Sequence, residues 1–293
     1  MRKEIEETVQ LLKSAHPDAM EKAVALLQES VFSFSMRVCN QRQDAEDTMQ
    51  EVLLKSVPVL SQFDSPKALA VWLYKVAKNR CLMNRRKSKF APTKELSLEE
   101  LMPDRAELAQ LARSSGFNPE ALAIRSQESQ WLREAIQKVP PEYRIILVLR
   151  DMEGLSDDEV AEITGLRPGT VRVRLHRARL FVRKEITKRL HSGQAGPAGP
   201  RERQTQAARP AKCKAMFAEL SNYLDERLDD SMCVEIEKHM HGCEPCKAFL
   251  STLENTILAL RQSPKETPDP GKARKLREDI MASYEKTLPK GTG

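Results

Sequence analysis

Four residues in the last third of the chain have the types and spacing for metal chemistry. Cys213 is followed by His239, Cys243 and Cys246, in the pattern Cys-x25-His-x3-Cys-x2-Cys. His239 and Cys243 are four apart, so one helical turn puts them on one face. Pro245 helps place Cys246 across a tight knuckle. Three thiolates and one imidazole make a tetrahedral zinc set. Cys233 and His241 are the competing candidates, and His241 reads as surface. Four protein ligands leave no open position for water, so such a site is structural or redox-sensing rather than catalytic. Cys39 and Cys81 lie in helical, apolar contexts and read as core thiols. No paired carboxylates, nucleophile elbow or phosphate loop stands elsewhere, and no enzyme is expected.

A second chemistry lies in Gly154–Arg189. Ser156 can cap a helix, and Glu159 three residues later completes a capping box. Gly165 ends that helix after about two turns, and Pro168 suits the first turn of a second one. There Val171, Leu175, Ala178, Val182 and Ile186 form one apolar stripe, while Arg172, Arg174, His176, Arg177, Arg179 and Arg183 lie off it. Residues 167–189 hold nine Lys/Arg and a single acid, Glu185. Two helices joined by a glycine turn, the second cationic, read as a helix-turn-helix. Its basic face would meet phosphates, and arginine forks can read guanine edges.

These elements need a scaffold, and the composition allows one. The 293 residues suffice for two or three domains, and 40% hydrophobic with only 5% aromatic suits small helical ones. The net charge of +6 is mild; its clustering is what points to nucleic acid. No apolar run reaches the ~20 residues needed to span a membrane. The first twenty residues mix acids with apolar side chains and lack a signal-peptide core, so a cytoplasmic protein is expected. There, six cysteines argue for thiols or metal over disulfides.

From Glu21 the pattern is helical, with Val24, Leu27, Val31, Phe34 and Val38 at three- and four-residue spacing. Asp44, Asp47, Gln50 and Glu51 then share one acidic, amide-bearing side of a helix. Pro58 should kink or shorten the helical hairpin there. Residues 75–89 carry seven basic side chains and no acid, with Trp72 and Tyr74 beside them. Such cations could neutralise phosphates and such aromatics could stack on unpaired bases; for Trp72 and Leu73 a core position is preferred. Helical pattern resumes at Gln130 and, after Pro140-Pro141, Glu142–Met152 reads as a strongly apolar helix. Residues 192–211 hold three Gly and three Pro among polar residues and read as a linker.

Three stretches taken in order, DAEDTMQEVL (44–53), WLYKVAKNRCLMNRRK (72–87) and VPPEYRIILVLRDMEGLSDDEVAEITGLRPGTVRVRLHRAR (139–179), resemble an extracytoplasmic-function sigma factor of the sigma-70 family. The resemblance implies a first helical domain that binds core RNA polymerase and melts the minus-ten element, and a second that reads the minus-thirty-five element. By the same resemblance Asp44, Glu46, Asp47, Gln50 and Glu51 match the polymerase-contact helix. Lys75, Lys78, Asn79, Arg80, Asn84 and Arg85 match the melting segment. Arg172, Arg174, His176, Arg177 and Arg179 match the recognition helix, where Val173 replaces a small polar residue common among relatives. Residues 211–262 resemble the zinc-binding anti-sigma domain, or putative zinc finger.

The expected fold is all-α: sigma domain 2 over 20–90, a linker over 91–127, sigma domain 4 over 128–191, a flexible linker over 192–211, a small zinc-bound helical bundle over 212–262, and a tail over 263–293 with one short amphipathic helix. Expected partners are core RNA polymerase and promoter DNA. The linker keeps the zinc module at high effective concentration beside the sigma domains, where it can dock and inhibit in cis. The competing reading is a helix-turn-helix regulator that binds an operator without polymerase; it leaves residues 44–53 and 72–87 unexplained.

Overall fold

The computed structural model describes residues 3–14, 18–86, 95–103, 107, 126–192 and 211–287, and every regular element among them is helical. Two compact units form: one draws on residues 1–93, 148–168 and 264–293, the other on 94–147 and 169–263. Each unit thus gathers segments of more than one expected domain.

The first unit is built round α2 (Ala19–Cys39), which packs against α1 (Lys3–Lys13), α3 (Arg42–Ser56) and α4 (Pro66–Arg86). The predicted stripe Val24, Leu27, Val31, Phe34 and Val38 is buried, and Phe32 on another side of α2 is buried too. Asn40 ends the helix in the left-handed region at φ 69°, a conformation asparagine tolerates better than most residues. α3 stops at Ser56, and Pro58 sits in the first turn of a 3-10 turn, Val57–Gln62; its missing N–H costs nothing there. Val148–Met152 is a π-type turn, and α8 (Asp157–Thr164) follows. The terminal helix α13 (Pro270–Thr287) lies on α2, α3 and the 3-10 turn, with Ala273 and Ile280 buried.

Two expectations are corrected in this unit. Cys39 and Cys81 are buried but are not free thiols: they form a disulfide, because the end of α2 and the third quarter of α4 bring their Cα atoms to 5.2 Å. Tyr74 is not offered to bases. It faces α2, its ring 4.8 Å from that of Phe34, and is buried. Trp72 is half-buried, 5.8 Å from the Phe63 ring, and Leu73 is core.

The second unit holds α5 (Leu98–Leu101), α6 (Ser126–Lys138), α7 (Pro141–Leu147), α9 (Pro168–Ser192, from Gly169 on), α10 (Ala211–Leu224), α11 (Asp230–Gly242) and α12 (Glu244–Gln262). The predicted stripe of α9 is buried throughout, as are Phe249, Leu253, Ile257 and Leu260 of α12. Phe217 of α10 meets Phe249 edge-on, with centroids 4.7 Å apart, a geometry that ring quadrupoles favour.

Candidate nucleic-acid interface and metal centre

A candidate metal cluster forms where α11 gives way to α12. Asp229 caps α11 by accepting from the Met232 amide at 2.9 Å. Cys243 sits at the junction, and its carbonyl accepts from the amides of Cys246 and Lys247 at 3.1 Å, opening α12 with Pro245 in its first turn. The ligand atoms of His239, Cys243 and Cys246 all lie within 4.8 Å of one another, with His239 Nε2 3.4 Å from Cys246 Sγ. A tetrahedral zinc site with Zn–S bonds of ~2.3 Å has ligand–ligand edges of ~3.8 Å, so these residues fit the ion. Cys213 lies on α10, and its side chain falls outside the described residues. Cys233 is half-buried beside the Leu228 carbonyl and is not in the cluster; His241 is exposed.

The cations of α9 divide into two groups, where the sequence suggested one basic face. Arg172 is exposed, and Arg174 and Arg177 are half-buried. Arg174 lies 3.4 Å from Glu142 and over the Tyr143 ring. His176, Arg179 and Arg183 are instead buried against α10–α12. Arg179 donates through both Nη atoms to the Asp225 carboxylate at 2.8 and 3.0 Å. Arg227 and Arg261 approach the same carboxylate at 3.3 and 3.5 Å. Arg183 stacks on the Phe249 ring 3.7 Å from its centroid, donates to Thr252 Oγ1 at 2.8 Å and meets Glu107 at 3.3 Å. Burial draws its pKa down to about 10, which leaves it charged at neutral pH. His176 Nδ1 pairs with Ser221 Oγ at 2.7 Å. Burial, with Arg179 and Arg177 adding repulsion, lowers its pKa to about 4, so the ring is neutral.

In the first unit the expected polymerase-contact residues line α3. Asp44, Glu46, Asp47 and Glu51 are half-buried, and Gln50 is exposed. Glu46 pairs with Arg42 at 3.1 Å and with Lys272 of α13 at 2.7 Å. Asp47 accepts from Gln43. Glu51 pairs with Lys55 at 2.7 Å and Arg80 at 2.8 Å; the hydrogen bond from Lys55 does most to hold its pKa below the usual range. On α4, Lys75 and Asn79 are exposed. Lys78 is half-buried and donates to the Ile163 carbonyl in the last turn of α8 at 2.7 Å; that burial lowers its pKa. Asn84 and Arg85 lie on α4 with side chains outside the described residues.

Sequence reading missed the buried carboxylates of Glu153 and Asp225. Glu153 accepts from Arg37 Nη1 at 3.2 Å and from the Tyr74 hydroxyl at 2.7 Å. Asp225 receives the fork of Arg179. Both stand at the ends of helical segments among polar residues, where an acid reads as solvated. Gln28 was missed as well. Buried on α2, it donates to the Ala273 carbonyl and accepts from Arg277, both at 3.0 Å.

A cationic helix that follows a capped short helix in sequence, a basic α4 beside an acidic α3, and a Cys/His knuckle are the features of a helical nucleic-acid-binding protein with a candidate metal site. Comparison with known proteins narrows this. Residues 23–90 match Sigma-70 region 2, residues 129–182 match Sigma-70, region 4, and residues 213–247 match the Putative zinc-finger family. The ECF RNA polymerase sigma-E factor of Escherichia coli (strain K12) is 30% identical over 147 residues, 49% of this chain and 74% of its own length. The ECF RNA polymerase sigma factor SigW of Bacillus subtilis (strain 168) is 27% identical over 182 residues, 62% of this chain and 96% of its own. The RNA polymerase sigma-H factor of Pseudomonas aeruginosa is 27% identical over 187 residues, 62% and 93%. The chain belongs to the extracytoplasmic-function sigma factors of the sigma-70 family and carries a fused zinc-finger domain. No described helix is long and apolar enough to cross a membrane.

Proposed function

We propose that this chain is an alternative sigma factor that brings core RNA polymerase to promoter DNA and is restrained in cis by its own zinc module and terminal helix. The observation that carries the restraint is the Asp225 carboxylate. It offers two oxygens to the Arg179 fork, the arrangement a DNA phosphate would offer. While that pair is made, Arg179 and His176 have no access to DNA. The Lys272–Glu46 pair has the same sense: a cation of α13 occupies an acid of the α3 face assigned to polymerase. Zinc on Cys213, His239, Cys243 and Cys246 holds α11 and α12 in the arrangement that supports Phe249 under Arg183. Oxidation of those thiols or loss of the metal would loosen it.

Run-off transcription with purified core enzyme tests this reading. Residues 1–191 should transcribe more strongly than the full zinc-loaded chain, and removing zinc should narrow the gap. Equal activity of both forms in every metal and redox condition would refute restraint in cis. No transcription by either would refute the sigma-factor role itself.

A further inference from the structure

Cys39 closes α2 one residue before the left-handed Asn40, and Cys81 lies on α4 one residue past Arg80. Their disulfide joins positions 42 residues apart, and their Cα separation of 5.2 Å is ordinary for a natural disulfide. Thr48, wholly buried on α3, places Oγ1 3.7 Å from Cys39 Sγ and 3.8 Å from Cys81 Sγ. Three helices therefore meet at one pair of sulfurs and one hydroxyl. Neither sulfur belongs to the metal cluster. In the reduced protein the Thr48 hydroxyl can donate to either sulfur. Cys39, at a helix end and slightly more exposed than Cys81, is the point of entry.

We propose that Cys39 and Cys81 are a reversible redox staple, made and broken by exchange with a low-molecular-weight disulfide such as oxidised glutathione. The staple adds a covalent restraint to the resting arrangement of α4. It would act in addition to the zinc module and independently of it. The Cys39 thiolate attacks one sulfur of the small disulfide, whose S–S bond breaks to release one small thiolate. The Cys81 thiolate then attacks the Cys39 sulfur, and the second small thiolate leaves. The two protein protons end on the two small thiols. The protein loses two electrons, and the small disulfide gains them; excess small thiol reverses both steps.

The consequence for function rests on reading α4 as the promoter-melting helix. Lys78 and Arg80 lie just before Cys81 on α4, and in this arrangement both are engaged, by the Ile163 carbonyl and by Glu51. Both must let go to meet DNA, and a bond at position 81 holds their helix to α2 while it persists. The oxidised protein should therefore open promoter DNA more slowly than the reduced one.

Thiol trapping of the full-length, zinc-loaded chain across a glutathione redox series decides the chemistry. The expected result is a peptide linking Cys39 to Cys81, two mass units lighter than the sum of its reduced parts, that appears and disappears within the series. A pair that stays free at every ratio, or bonded at every ratio, overturns the proposal. Promoter opening with core enzyme, followed by fluorescence of a base analogue in the melted strand, decides the consequence. Oxidised wild type should open several-fold more slowly than reduced wild type, with zinc retained in both. Cys39→Ser and, separately, Cys81→Ala should respond to neither treatment. A redox response that survives in both variants, or that follows zinc release, overturns the staple as its cause. Equal opening by both redox forms leaves the sigma-factor reading intact and removes the staple's role. Failure of every form to open DNA removes that reading and the role together.

Discussion

A guanidinium stripped of water needs its charge answered nearby, and the buried arginines here do this in different ways. Arg183 uses a ring face, a hydroxyl and an acid. Arg37 relies heavily on Glu153, whose side chain is wholly buried and also takes the Tyr74 hydroxyl. Removing one partner of a buried pair costs ~3–5 kcal/mol because the other charge remains. Glu153→Ala should lose about that much in urea unfolding of the first unit, whereas the double replacement Arg37→Met/Glu153→Leu should lose far less. A loss below ~1 kcal/mol for the single variant would mean that water reaches Arg37. His176 gives a pH-dependent counterpart. Its pKa falls from 6.5 to about 4 on burial. Above pH 6.5 neither folded nor unfolded chain protonates it, and it contributes nothing. Between 6.5 and 4 only the unfolded chain binds the proton, so stability falls with falling pH, by up to ~3 kcal/mol once below 4. The difference in melting temperature between wild type and His176→Asn should therefore change between pH 7 and pH 4.5; a difference constant across that range would contradict the burial.

The elements themselves vary in how plainly the sequence announces them. Ser156 and Glu159 form the capping box that their spacing predicts. The Ser156 amide donates to Glu159 at 2.7 Å, and the Glu159 amide donates to Ser156 Oγ at 3.3 Å. Gly165 closes that helix at φ 74°. Ser156→Ala should cost ~1 kcal/mol, read as a lower urea midpoint at unchanged slope; no change would mean that water caps α8 equally well. Such signals are legible because both partners lie within one helical turn. The His239, Cys243 and Cys246 cluster was legible for the same reason: one turn and one knuckle fix it. The π-type turn at Val148–Met152 was not. Glu142–Met152 reads as a continuous apolar helix, yet the Glu153 amide reaches back five residues to the Val148 carbonyl at 2.9 Å, and Glu153 meets partners over 70 positions away. The second buried side of α9 was equally hidden, since arginine and histidine read as solvent-facing until Asp225, 46 residues after Arg179, and the more distant Phe249 come to cover them. Periodicity reports the face that local pattern requires, and stays silent about a face that a later module will cover.

Taken as a whole, the molecule pairs several of its cations with its own acids; if Arg179 is one of the DNA contacts proposed above, the grip on DNA should depend on the state of the C-terminal third. This can be measured without knowing the promoter. Non-specific affinity for duplex DNA falls with salt along a log–log slope that grows by ~0.9 for each phosphate neutralised. In the full chain Arg179 is held by Asp225 and cannot contribute. Cleavage within residues 192–211, followed by removal of the C-terminal piece, should therefore tighten non-specific binding and steepen the slope by about 1 if Arg179 alone meets a phosphate, or about 2 if Arg183 joins it. Arg179→Ala in the cleaved form should return about one unit of slope, while the same substitution in the full chain should leave the slope unchanged. Anisotropy of a labelled random duplex across a salt series reads all four proteins. Parallel lines for the full and cleaved chains would show that Asp225 keeps no phosphate-binding arginine from DNA, and the restraint would then have to act through the α3 face and Lys272 alone.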